Sequence, residues 1–218
     1  MPRKRVAVLI SGRGSNMVAL IKAAKSKTYP AKIALVISNE PTAEGLKHAR
    51  KAGIATVIVD HRPYGKDRQA FERALQTELE RHDIDLVCLA GFMRLLTPWF
   101  VGLWIGRMLN IHPALLLAFK GLYTHARAIA AGVKIHGASV HFVVPEMDSG
   151  PIIAQAAVPV AKDDTPASLA ARVIKLEHRI YPLALKLVAQ GRARLVDGRC
   201  IIDGVTTIKS TLVVPSGR

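Results

Sequence analysis

The chain is short of acidic residues, of aromatics and of cysteine, and it has no long apolar run. Sixteen Asp and Glu stand against 31 Lys and Arg, a formal net charge of +15. Aromatics are 5% of the residues, so a core must be built mainly from Val, Ile, Leu and Ala. The two cysteines, Cys88 and Cys200, lie far apart inside apolar segments. That excludes a disulfide framework and a cysteine zinc site, and fits buried thiols in a reducing compartment. After the basic start Met1-Pro2-Arg3-Lys4-Arg5, the apolar run extends only from Val6 to Ile10, too short for the core of a signal peptide. No run approaches the ~20 residues of a membrane span. The expectation is a cytoplasmic protein with no membrane partner.

What is present suits one α/β domain. The 218 residues are half hydrophobic, enough for a substantial core. The charge excess has three readings: a generally basic surface, anionic small substrates, or nucleic acid. They rank in that order, because the basic residues are dispersed and no aromatic-basic motif or helix-turn-helix pattern occurs.

Apolar runs at Val6–Ile10, Ile33–Ile37, Thr56–Val59, Leu86–Ala90 and Arg107–Ile111 read as strands. Between them, helical spacing recurs through Met17, Leu20, Ile21 and Ala24, through Thr42–Ala52 and through Asp67–Arg81. This alternation predicts a doubly wound, mostly parallel sheet. The pattern then changes: His136–Val144 and Ile152–Val160 follow each other across a short turn and should pair antiparallel. Thr165-Pro166 opens a long helix, with an apolar stripe of Leu169, Val173, Leu176, Ile180, Leu183 and Leu187. Pro182 should kink it beside Glu177 and His178. Asp197-Gly198 between two short apolar runs predicts a hairpin. Residues 206–218 read as a loosely tied tail.

Two loci carry chemistry. Ser11-Gly12-Arg13-Gly14-Ser15-Asn16 joins the first strand to the first helix. Its glycines allow close backbone approach, and free N–H groups at the helix start attract an anion. Ser15 or Asn16 is expected to cap the helix and meet a phosphate oxygen. The third glycine of a dinucleotide fingerprint and the Gly-Lys-Ser/Thr of a P-loop are both missing, so a monophosphate is the natural ligand. The second locus is Asn110-Ile111-His112-Pro113, where a strand ends at a proline. Alternation puts Asn110 and His112 on one face, an amide able to bind an oxyanion beside an imidazole able to carry a proton. The turn-rich stretch Pro145-Glu146-Met147-Asp148-Ser149-Gly150-Pro151 offers carboxylates that could orient that ring. Spacing alone leaves open whether Asp148 reaches His112.

From about Arg5 to about Gly204 the chain resembles the folate-dependent phosphoribosylglycinamide formyltransferases. The motifs are S-G-R-G-S-N at 11–16, A-G-F-M-R-L-L at 90–96, N-I-H-P at 110–113, H-G-A-S-V-H-F-V running into D-S-G-P-I-I, and E-H-R-I-Y-P at 177–182. The resemblance implies a Rossmann-like formyltransferase fold over 1–205, with a ribotide-binding half at about 1–105 and a folate and catalytic half at about 106–205. It implies Asn110, His112 and Asp148 as the catalytic set. Gly14, Ser15, Asn16 and the turn Ile174, Lys175, Leu176, Glu177 would hold the ribotide, with Glu177 nearest the amine. Arg68, Met93, Arg94, Leu95, Leu96, Asn110 and the loop Val144, Pro145, Glu146, Met147, Asp148 would hold the folate.

The implied reaction moves a formyl group from 10-formyltetrahydrofolate, a co-substrate, to the amine of glycinamide ribonucleotide in purine synthesis. The resemblance implies that no metal is needed, and the expected state is a monomer or homodimer. Asp148 would keep the imidazole charged and help to order a water for proton transfer. Two departures stand near the site: Leu117, where a turn proline is usual, and Tyr123, where a smaller or more polar residue is usual. Rival readings are a formyltetrahydrofolate hydrolase, a methionyl-tRNA formyltransferase and a non-catalytic nucleotide-binding module. The first would bring an added N-terminal regulatory domain and the second a further C-terminal domain, and neither is expected here.

Overall fold

A computed structural model describes residues 2–204 together with Val214; the tail expected at 206–218 otherwise lies outside the described residues. Strand β1 (Lys4–Ile10) leads through α1 (Ser15–Ala24) to β2 (Ala31–Ser38), α2 (Glu44–Lys51) and β3 (Ala55–Ile58). A 3-10 turn at Arg62–Tyr64 precedes α3 (Arg68–Arg81), β4 (Leu86–Leu89), α4 (Pro98–Leu103) and β5 (Met108–His112). Then come α5 (Thr124–Ala130), β6 (Ile135–Phe142), β7 (Ile152–Pro159), α6 (Pro166–Ala189) and the hairpin β8 (Ala193–Val196) and β9 (Arg199–Ile202).

Seven strands form one sheet in the order β3-β2-β1-β4-β5-β6-β7. The first five are parallel, and β6 and β7 continue the sheet antiparallel. The period of two in a strand divides β1 between two cores. Val6, Val8 and Ile10 pack with α1, α2 and α6, whereas Ala7 and Leu9 pack with α3 and α4. This double coverage is why the strand reads as a continuous apolar run. The chain leaves β1 toward β2 on one side and returns as β4 on the other. The loops after β1 and β4 therefore border the crevice where such sheets bind ligands.

Helix α6 has the expected start: Thr165 accepts from Ser168 N–H and Ser168 returns the bond, a capping box with Pro166 in the first turn. Its buried stripe differs from the sequence reading. Leu183 is exposed and Leu176 half-buried, whereas Glu177, Tyr181 and Ala184 are buried. The sheet lies slightly round the helix from where hydrophobicity alone would put it. Helix α6 spans Pro182 as one element. Tyr181 donates its hydroxyl to the carbonyls of Leu89 (2.9 Å) and Leu109 (3.2 Å), fastening α6 to β4 and β5. The short helices α4 and α5 escaped the sequence reading. No described helix is long and apolar enough to cross a membrane.

Candidate active site

His112 is the last residue of β5, Asn110 stands two before it, and Pro113 follows where the strand stops. Across the antiparallel pairing with β6, Asn110 lies opposite His141. Asn110 Nδ2 is 3.2 Å from His141 Nε2, and His141 Nδ1 is 2.8 Å from the Phe142 carbonyl oxygen. A carbonyl only accepts, so His141 Nδ1 carries the hydrogen and Nε2 accepts from the amide. Burial lowers the His141 pKa, against the Phe142 hydrogen bond and the charge of Asp148. A neutral ring, 2% exposed, therefore sets the direction of the Asn110 amide. The amide's second N–H is left for another acceptor. The sequence reading gave His141 no role, although it sits in the H-G-A-S-V-H-F-V motif; the pairing register that sets it opposite Asn110 is not a local signal.

Asp148 reaches His112. Its Oδ2 is 3.3 Å from His112 Nδ1 and accepts the Gly121 N–H at 2.9 Å; its Oδ1 is 3.9 Å from His141 Nε2. His112 Nε2 is 3.0 Å from the Phe119 carbonyl oxygen. Both ring nitrogens thus face acceptors, an arrangement that the two N–H groups of an imidazolium satisfy. Three segments hold the ring: the end of β5, the stretch after Pro113, and the loop between β6 and β7. The Thr124 hydroxyl donates to the Pro113 carbonyl at 2.7 Å, and Lys120 Nζ donates to Ser149 Oγ at 2.7 Å.

The loop after β1 departs from expectation in one respect. Gly14, at φ 75°, is the N-cap of α1, and no side chain caps the helix. Neither Ser15 nor Asn16 does so, because the left-handed glycine places them already inside the first turn. Asn16 instead donates Nδ2 to Glu177 Oε2 at 2.5 Å, and its buried Oδ1 has no partner among the described residues. Glu177 is 7% exposed. Burial raises its pKa, against the Asn16 hydrogen bond and the charge on His112. A cavity of about 240 Å³ is lined by Ser11 to Asn16 with Ala90, Gly91 and Met93. Helix α2 starts against this loop: a Cβ on Gly45 would lie 2.6 Å from Ile10 Cδ1 and 3.1 Å from the Gly12 carbonyl oxygen, so a larger residue would require the Ile10 side chain and the loop to shift.

The remaining candidates are spread around these groups. Ile174 and Leu176 are half-buried and Lys175 exposed on the α6 turn before Glu177. Arg68 is exposed at the start of α3. Met93 (66%) and Leu95 (61%) are open, and Arg94 and Leu96 half-buried. Pro145, Glu146 and Met147 are exposed, with Val144 and Asp148 half-buried. Among the described residues, the side chains of Arg68 and Arg94 make no hydrogen bond or ion pair. The geometry thus gathers Asn110, His112, His141 and Asp148 in one group and Asn16 with Glu177 in another. Among the described residues, no group of three or more His, Cys, Asp or Glu is arranged to hold a metal ion.

A strand-end Asn and His, a loop Asp and a glycine-turned loop at a helix start, all on one doubly wound sheet, agree with the comparisons with known proteins. The Formyl transferase family model matches residues 4–185. The chain belongs to this family. It is 45% identical to the phosphoribosylglycinamide formyltransferase of Escherichia coli, an alignment covering 91% of this chain and 93% of that one. It is 51% identical over 89% of its length to the trifunctional purine biosynthetic protein adenosine-3 of Bos taurus, of which it spans 19%. Among solved structures, the phosphoribosylglycinamide formyltransferase of Coxiella burnetii superposes with a TM-score of 0.88 at 44% identity, covering 93% of this chain and 94% of that one. A formyltetrahydrofolate deformylase from Pseudomonas syringae superposes at 0.85 but with 26% identity, covering 92% of this chain and 66% of its own. The chain is thus more similar in sequence to these phosphoribosylglycinamide formyltransferases than to that deformylase.

Proposed function

We propose that the protein transfers the formyl group of 10-formyltetrahydrofolate to the amine of 5′-phosphoribosylglycinamide, giving formylglycinamide ribonucleotide and tetrahydrofolate in purine synthesis. The observation that carries the reading is the Asn110, His112 and Asp148 cluster, with the buried carboxylate of Glu177 near enough to feel the charge on His112. The relatives of matching length bear the name of this activity.

In this mechanism the ribotide phosphate sits on the N–H groups of the loop at Gly14–Asn16, at the start of α1. The amine lies toward Glu177, whose carboxylate accepts a hydrogen bond from it. The orphan Asn16 Oδ1 offers a second acceptor there. The amine nitrogen attacks the formyl carbon, and the carbonyl electron pair moves onto oxygen. The free N–H of Asn110 donates to that oxyanion, and His112 stabilises it once its Nε2–H turns from the Phe119 carbonyl toward the developing charge. Asp148 holds the ring and its charge. Collapse breaks the bond to the folate nitrogen, which takes up a proton as the former amine gives one up; the His112 and Asp148 pair mediates that exchange. Positioning both substrates in adjacent subsites supplies much of the remaining rate. Both substrates are anionic, one through phosphate and one through its glutamate, so the basic surface favours their encounter.

The test is to incubate the protein with both substrates and follow tetrahydrofolate release by absorbance, with and without the ribotide. Release that requires the ribotide and forms its formyl derivative supports the reading. Equal release without ribotide, with free formate as product, would assign the protein to the hydrolases instead.

A further inference from the structure

Residue Ser11 sits between the two proposed subsites and is bonded to both sides. It is the first residue of the phosphate loop. Its N–H donates to the Gly91 carbonyl at 3.1 Å. Its hydroxyl donates to Asn39 Oδ1 at 2.5 Å and accepts the Met93 N–H at 2.7 Å. Asn39, 2% exposed just after β2, gives the hydroxyl a buried acceptor. On the other side, residues 92–96 belong to no helix or strand, and Met93 and Leu95 are open to solvent. Among the described residues, the bond from Met93 to Ser11 is the single hydrogen bond made by residues 92–96. The next anchor comes only at Thr97, whose N–H donates to the buried Glu72 carboxylate at 2.6 Å.

We propose that Ser11 is a positioning residue that couples the two substrate subsites. An anion bound on the loop at Gly12–Asn16 holds the backbone that carries Ser11. Ser11 in turn holds the Met93 N–H and with it the segment 92–96, which presents the folate contacts. Ordering that segment is a cost that each ligand otherwise meets alone. Once one ligand has fixed Ser11, the second binds to a segment already in place, which is positive coupling without a large change of shape. The two loops line one cavity with Ser11 at their junction, so no longer path is required. The inference rests on the assignment of the ribotide to residues 14–16 and the folate to residues 93–96.

The test measures tetrahydrofolate affinity by calorimetry, with and without saturating glycinamide ribonucleotide. It compares the natural protein with Ser11→Ala, Ser11→Cys and Ser11→Thr. The natural protein should bind tetrahydrofolate at least ~5-fold more tightly when the ribotide is present, the lower end of common coupling. Ser11→Ala should bring that ratio to within about 2-fold of unity. Ser11→Cys, with a weak donor and acceptor in the same place, should do the same and serves if the alanine variant folds poorly. Ser11→Thr keeps the hydroxyl and should keep the ratio. A merely structural role would weaken both ligands and leave the ratio unchanged, and that result would overturn the inference. So would a ratio near unity in the natural protein. Failure of the natural protein to bind either ligand would instead overturn the assigned function, and this inference with it.

Discussion

Nδ1 of His112 and Oδ2 of Asp148 stand 3.3 Å apart, although one ends a strand and the other sits in a turn at φ 49°. The left-handed backbone at Asp148 is tolerated by an aspartate better than by most residues. It turns the carboxylate inward, where the Gly121 N–H fixes one oxygen. The ring and the carboxylate therefore act as a unit, and their substitution should show it.

Replacing His112 with Ala should lower turnover by ~10²–10⁴, and Asp148→Asn by ~10²–10³, with ribotide affinity nearly kept, since both act on charge formed in the transition state. The double variant should be no more than about 3-fold slower than His112→Ala alone, because members of one unit are not additive. Single-turnover formyl transfer with all three proteins checks this. Losses that multiply would show that the two residues act separately.

Glu177→Gln should cost activity and gain stability. Burial holds the Glu177 carboxyl above its usual range in the folded protein. A group whose folded pKa is raised contributes stability below its unfolded pKa, lost as pH rises through the folded pKa. Above its unfolded pKa the buried carboxyl is therefore a burden that Gln removes, while Gln still accepts from Asn16. The melting temperature of the variant should exceed the natural one at pH 7 and match it below about pH 4, near the unfolded carboxyl value. A melting difference independent of pH would mean that the buried charge is not its cause.

Acid should loosen the protein through His136 before most carboxylates protonate. His136 is almost fully buried, and burial pushes its pKa down to about 4, with the charges of His125 and His112 adding to the shift. Its ring lies against those of His125, at 5.2 Å, and Phe119, at 5.8 Å. A depressed folded pKa contributes stability above the unfolded value of about 6.5, lost as pH falls toward about 4. Melting curves from pH 7 to 4 should fall steeply, and less steeply in His136→Gln, which cannot take up a proton. An unchanged slope in that variant would place the acid sensitivity elsewhere.

Tyr123 occupies the left-handed region, φ 56° and ψ 34°, as N-cap of α5 with no capping hydrogen bond, and it is 79% exposed. A tyrosine there meets the Cβ clash that disfavours left-handed backbone, at ~1–2 kcal/mol. Tyr123→Asn should recover part of that cost and lose little packing. A rise of roughly 2–4 °C in melting temperature corresponds to ~1 kcal/mol in a chain of this size. A lower melting temperature would show that the exposed ring makes contacts worth more than the backbone strain.

Local signals in the sequence determined much of this protein. Apolar runs marked the buried strands, Thr165-Pro166 marked the start of α6, and Asp197-Gly198 turned the terminal hairpin with both residues at positive φ. The period of two in a strand was enough to set Asn110 and His112 on one face. Each signal acts through residues near one another in the chain, so it can be read without knowing the tertiary packing. Helices α4 and α5, of 6 and 7 residues, are too short to show a period. The tertiary structure alone decided the rest. Strand register set His141 against Asn110; the glycine turn at Gly14 sent Asn16 to Glu177; the meeting of two loops gave Ser11 the Met93 N–H. Those pairings join residues far apart in the chain, and they follow from how the sheet packs its helices, which no stretch of sequence carries by itself.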